Sequence, residues 1–212
     1  MADTPQAKNL TPKQRRQRNR DAVISAILQA ARDIMREEGV AALNLHEIAR
    51  RVGMKTPSLY EYFPNKMAIY DRLFKLGTQL FRERLARAEA QYPEPNPEQA
   101  QAILTAFMQC AIENPDLFKL VYERHVPGFV PSPDSMSESN ASLDEGRERV
   151  ERSVGQADTG LEIDQTRDIF IALMHGLTAL HLANSPELPI GQGRFGSLIP
   201  AVVEMLRKAW GF

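Results

Sequence analysis

Leu45 to Lys66, LHEIARRVGMKTPSLYEYFPNK, carries the densest run of helix caps, stops and apolar spacing in the N-terminal third of the chain. It predicts two short helices joined by a tight turn. Asn44 is a good N-cap, and Asn44-x-x-Glu47 has the spacing of a capping box. Leu45, Ile48, Ala49 and Val52 recur at helical spacing and make one apolar face. Gly53 follows as a stop, where a left-handed backbone is needed and only glycine adopts it without steric cost. Thr56 as cap and Pro57 at the first helical position then start a second helix, Ser58 to Phe63. Leu59 and Phe63, four apart, can pack inward, leaving Ser58, Tyr60 and Tyr62 to point elsewhere. A helix this short is not stable alone, so its neighbours must hold it with one face presented. That is the logic of a helix-turn-helix recognition element.

Outward from this stretch the chain divides by charge. The net charge of the 212 residues is −1, yet residues 8–75 hold 14 Lys/Arg against 7 Asp/Glu and residues 76–212 hold 12 against 19. A basic N-terminal third on an acidic body suggests an anionic partner for one part only. The run KQRRQRNR (13–20) carries cations and no acid. Cations at a helix N-terminus oppose the macrodipole, which favours reading it as a phosphate-contacting arm. The rest predicts helices only. The first runs from about Arg20 to Glu38, and a long fourth helix, capped by Asn65, from Lys66 to about Tyr92. Further helices are expected over Pro97–Glu113 and Asp116–Glu123, from about Leu143 to Val154, over Asp164–Asn184 and from about Gly196 to Trp210. Residues 126–141, rich in Pro, Ser and Gly, read as a long loop. The expected organisation is all-α: a flexible basic arm (1–19), a three-helix helix-turn-helix DNA-binding domain (20–75) and a helical ligand-binding and dimerisation domain (76–212), reached through the long fourth helix.

Ile48-Ala49, Gly53, Leu59-Tyr60, Tyr62-Phe63 and Lys66 resemble the IA-x-x-x-G-x-x-x-x-x-LY-x-x-F-x-x-K signature of the TetR family of transcriptional regulators, and the likeness covers residues 20–75. Lys55 stands where the family often has serine and Pro57 where it often has glycine, so which bases are read is open. The C-terminal segment RDIFIALMHGLTALHLAN more weakly resembles the His-Gly-containing body of one subgroup. The resemblance implies a DNA-binding regulator, a repressor released by a small-molecule effector, acting as a homodimer on a pseudo-palindromic operator in duplex DNA.

On that reading Lys55, Thr56, Ser58 and Tyr60 are the candidates for base edges, with Pro57 packing on a thymine methyl. Tyr62, Lys66, Asn44 and His46 are the candidates for phosphates, and Arg15, Arg16 and Arg18 for salt-sensitive, sequence-independent affinity. By resemblance Tyr60, Tyr62 and Lys66 match positions that touch the DNA backbone; Tyr60 reads equally as a core aromatic.

In the body, Phe107, Met108, Cys110, Phe118, Tyr122 and His125, with Met174, His175 and Thr178, compose an apolar wall with a few polar groups, the usual make-up of a small-molecule site. Phe129 and His181 are further candidates. Any one of these reads first as ordinary core. The last two helices are apolar nearly all round and call for cover from a second copy: Phe170, Leu173, Leu177 and Leu180 on one, Leu198, Val202, Val203, Leu206 and Trp210 on the other.

The competing classes are an enzyme or a helical small-molecule-binding module without DNA affinity. The four histidines and Cys110 have no metal-ligand spacing, and no GxSxG, HExxH, GxGxxG or P-loop occurs. No metal or cofactor is expected. The single cysteine and the polar start MADTPQAKNL suit a cytoplasmic protein without membrane attachment.

Overall fold

Thr11 sets where the first helix begins. Its hydroxyl accepts from the Gln14 amide (3.3 Å), the Gln14 side chain accepts from the Thr11 amide (2.8 Å), and Pro12 follows at the first helical position. In the computed structural model, which describes residues 11–155 and 160–211, helix α1 therefore spans Pro12–Glu38. The basic run 13–20 forms its opening turns and is not a flexible arm, because this cap starts the helix eight residues before Arg20. Residues 1–10 of the expected arm lie outside the described residues.

Two short helices follow, α2 (Leu45–Arg51) and α3 (Thr56–Leu59), then α4 (Lys66–Glu89), capped by Asn65, whose side chain accepts from the Ala68 amide (3.0 Å). Next come α5 (Pro97–Glu113), α6 (Pro115–Tyr122), α7 (Pro133–Val154), α8 (Ile163–Asn184) and α9 (Ile199–Trp210). The described residues contain helices and no strand. Pro200 lies in the first turn of α9 and does not kink it.

The chain forms two compact units, Met1–Ile69 and Tyr70–Phe212. The smaller is built on the buried side chains Ile27, Ala31, Ile34, Ile48, Leu59 and Ile69. In the larger, α5 packs against α8 and α9, and α7 against α8. Its core runs from Phe81 and Leu85 through Ile103, Phe107 and Phe118 to Met174, Val203 and Trp210. Gly77 allows α4 and α6 to close: a β-carbon there would sit 2.8 Å from Val121 Cγ2. Tyr70 and Phe74, expected in the small domain, set their rings against Phe129 in the larger unit.

Helix α7 replaces much of the loop expected over 126–141. Ser132 caps it, accepting from the Ser135 amide (3.2 Å), with Pro133 at its start. Asp71, 61 residues earlier, accepts from both the Ser132 amide (2.7 Å) and its hydroxyl (2.9 Å). The residues read as loop formers are the cap of a helix, and the partner that anchors it is remote in sequence.

Candidate functional site

Helix α3 is presented as the sequence demands, with different end chemistry. Leu59 is fully buried and Phe63 nearly so, whereas Lys55 and Pro57 are exposed and Tyr60 keeps 52% of its surface open. That excludes a core role for Tyr60. Past Leu59 the chain stays coiled through Phe63, whose amide donates to the Leu59 carbonyl (3.0 Å). Gly53 makes the turn between α2 and α3 at φ +70°, where a side chain would be strained. Thr56 is the first residue of α3 and not its cap; its hydroxyl pairs with His46 Nδ1 (3.1 Å) and so ties the starts of α2 and α3 together. His46 is thus a positioning residue as well as a phosphate candidate.

The capping box expected at Asn44 does not form. Asn44 Oδ1 accepts from the His46 amide (2.9 Å), and Glu47 turns to Arg50 (2.7 Å to both Nε and Nη2) and Arg51 (2.8 Å). Two guanidinium partners outcompete one backbone amide for the carboxylate. Arg51 also reaches Glu37 of α1 (2.7 Å), linking the two helices. The Arg50 and Arg51 guanidinia hold the Glu47 carboxyl at about 2, below its ordinary 4.5. The stabilisation from this pair is complete above pH about 4.5 and is lost as pH falls towards 2. In Glu47→Gln the gap in urea midpoint from the parent should therefore close over that range. A gap constant down to pH 2 would show the network to be inert.

Tyr62, expected on phosphate, is half-buried with its ring under the Arg20 guanidinium (4.9 Å), and Arg20 also donates to the Glu61 carbonyl (3.1 Å). Arg20 thus pins α1 to the end of the recognition element, a role not visible in sequence. Beyond this anchor α1 runs on for roughly 12 Å towards Pro12, with Arg15, Arg16 and Arg18 exposed. Lys66 and Asn44 are exposed at the first turns of α4 and α2, and Ser58 is half-buried.

The body holds a cavity of about 200 Å³ walled by α4, α6, α7 and α8. Of the nine residues expected to line a pocket, Tyr122 and Met174 do. Phe107, Met108, Cys110 and Phe118 are solid core, and His175 stacks on Phe118 (5.3 Å between ring centres). The aromatic residues pack on one another and leave no room among themselves. Thr178 is buried with its hydroxyl donating to the Met174 carbonyl (2.8 Å). His125 lies outside, 53% exposed beside Glu123. Phe129 packs on Tyr70 and Phe74, and the buried His181 donates from Nε2 to the Leu188 carbonyl (3.0 Å). The remaining walls come from residues the sequence did not single out, among them Thr78, Leu85, Ser139, Leu143, Arg149 and Arg167. Among the described residues no cluster of His, Cys, Asp or Glu could hold a metal ion, and no helix is long and apolar enough to cross a membrane.

The family model for bacterial regulatory proteins of the tetR family matches residues 27–73, from mid-α1 into α4. The class A tetracycline repressor protein from transposon 1721 of Escherichia coli is 39% identical over 49 residues, 23% of this chain and 23% of that protein. The N-terminal domain is similar to the DNA-binding part of the tetR family. The chain spans under a quarter of that repressor's length. Over its full length the fold is shared with a protein of unknown function from Rhodococcus sp. RHA1 (TM-score 0.73, 19% identity, covering 99% of this chain and 100% of the other). It is shared too with the transcriptional regulator FadR from Bacillus subtilis, solved in complex with stearoyl-CoA (TM-score 0.64, 18% identity, 89% and 98%).

The body carries two apolar stripes on each of its last helices, one residue apart. Phe170, Met174, Leu177 and His181 on α8, and Ile199, Val203, Leu206 and Trp210 on α9, are buried in the body's own core. Ile169, Leu173, Gly176 and Leu180, and Leu198, Val202, Met205 and Ala209, are half-buried or exposed. Of the nine residues expected at a subunit interface, Phe170, Leu177, Val203, Leu206 and Trp210 are therefore internal, because the protomer covers that stripe itself. Leu173, Leu180, Leu198 and Val202 lie on the outer stripe.

Proposed function

We propose that the protein is a homodimeric, sequence-specific DNA-binding regulator of transcription, a repressor released by a small-molecule effector bound in the body. The observation that carries this is α3: a four-residue helix anchored beneath by Leu59 and presenting Lys55, Pro57 and Tyr60 outward, inside a domain matched by the tetR family model. A surface so supported and so exposed suits insertion into a major groove, with Lys55 reaching guanine O6/N7. The exposed starts of α2 and α4 offer backbone amides and Lys66 to phosphates. The tetracycline repressor and the acyl-CoA-bound FadR support the repressor and effector parts of the reading by analogy.

The outer stripes of α8 and α9 supply the dimer. Leu180 is 46% and Met205 50% exposed, on faces with the four-three-four spacing of a helix-packing seam. Leu180→Arg combined with Met205→Glu should give a monomer of unchanged helicity by light scattering and circular dichroism. Leu177→Asp, by contrast, should unfold the body. A native-mass dimer from the double variant would move the interface elsewhere.

Selection of random duplex DNA by the purified protein tests the whole reading. The expected product is an inverted repeat whose half-sites lie about one helical turn, roughly 34 Å, or somewhat more apart. Absence of any enriched motif at low salt would overturn it in favour of a binding module without DNA affinity.

A further inference from the structure

The chemistry of the body cavity specifies more than the presence of an effector. Its apolar walls are Leu85, Val121, Phe170, Ile171 and Met174. Its lining includes two cations, Arg149 and Arg167, and no carboxylate. Both side chains are largely buried, with 11% and 16% exposed. Each is neutralised by groups that are not part of the lining. Arg167 holds Asp164 (2.9 Å) and Asp168 (2.8 Å), both mostly in solvent, and Arg149 holds Glu89 of α4 (2.8 Å). A guanidinium has five N–H donors, and these bonds leave each arginine with donors to spare. Tyr122 adds a phenol that burial keeps protonated, its hydroxyl held well above the ordinary phenol range, and so a hydrogen-bond donor.

Size narrows the class further. An apolar cavity of about 150 Å³ holds one benzene ring, and this one, at about 200 Å³, has room for a ring and one small substituent. A long acyl chain does not fit.

We propose that the cavity binds a compact aromatic monocarboxylate of the benzoate or phenylacetate class, its ring among the apolar walls and its carboxylate on Arg167 and Arg149. The assignment rests on the effector reading above and names the ligand for that site. It also gives the ligand a lever. Arg149 lies on α7 and its partner Glu89 on α4, and Arg149 borders both this cavity and the charged groove between those two helices. Arg152 of α7 pairs with the same Glu89, and Arg82 of α4 with Glu138 and Glu145 of α7 (2.9 Å each). A carboxylate arriving at Arg149 competes with Glu89 and weakens the polar seam that holds α7 to α4.

Calorimetric titration of the full-length protein, without DNA, tests this with benzoate, phenylacetate, neutral benzyl alcohol and palmitate as probes. Saturable binding of at least one of the two aromatic acids is expected, about tenfold or more tighter than benzyl alcohol, with no binding of palmitate. Arg167→Gln should remove that preference while sparing the neutral alcohol, and Ile171→Trp should abolish binding of both. Failure of both acids, equal binding of the alcohol, or tighter binding of palmitate would overturn the assignment. The acid-over-alcohol preference is read on the unmodified protein and survives any folding defect of the variants. Missing benzoate and phenylacetate binding beside an enriched operator sinks the ligand class and leaves the regulator. Binding of an aromatic acid with no DNA motif supports the ligand class and sinks the regulator.

Discussion

Replacing Arg15, Arg16 and Arg18 together by glutamine should weaken binding to every duplex by a similar factor and flatten its salt dependence. Each phosphate that is no longer neutralised takes about 0.9 from the slope of log K against log salt, so roughly 2 to 3 should go for three arginines. The expectation is stronger for a helix than for a flexible arm. Thr11 and Gln14 close a capping box, so the arginines are carried on an ordered rod, and Arg20 fixes that rod to Tyr62 and the Glu61 carbonyl. Less conformational entropy is then lost when the guanidinium groups meet the backbone. The preference for operator over random DNA should change little, because phosphates carry no base information. Filter binding across a salt series reads both quantities. An unaltered slope would exclude α1 from the DNA interface.

The second large effect is expected at Leu59. It is fully buried beneath a helix of only four residues, and truncating a buried leucine to alanine costs about 2–5 kcal/mol. A short helix has no reserve of its own against such a loss. In Leu59→Ala, amide protons over residues 45–63 should exchange much faster and the mobility shift on operator DNA should vanish. Tyr60→Ala makes the informative contrast: with half its surface open, it should lose most of the shift while exchange in that segment stays as in the parent. If Leu59→Ala binds normally, the recognition element is not held in the way described. If Tyr60→Ala binds normally, the outward face of α3 is not the reading face.

Much of the N-terminal domain could be read directly because its determinants are local. A cap at Asn44, a left-handed glycine at 53 and a proline beside Thr56 each act within one turn of where they stand. The errors there are also local competitions. Glu47 had an amide within reach and two arginines within better reach. The body was harder. Helix α7 looked like loop because its first residues are Pro, Asp and Ser, and what anchors their cap is Asp71 on another helix. The cavity could not be found from composition, since the conspicuous aromatics fill space with one another while the walls are a mixed set from four helices.

Short-range pattern alone specified the all-helical class, the helix-turn-helix and the division of charge, properties set by neighbours within a few positions. Which apolar stripe of α8 and α9 faces inward was left to the packing of the whole body. Residues 170, 174, 177 and 181 and residues 169, 173, 176 and 180 have the same spacing, one position apart, and so differ by about 100° around one helix. Periodicity says that such a helix is covered on two sides. It takes α5, set against both helices, to fix which side belongs to the protomer's own core.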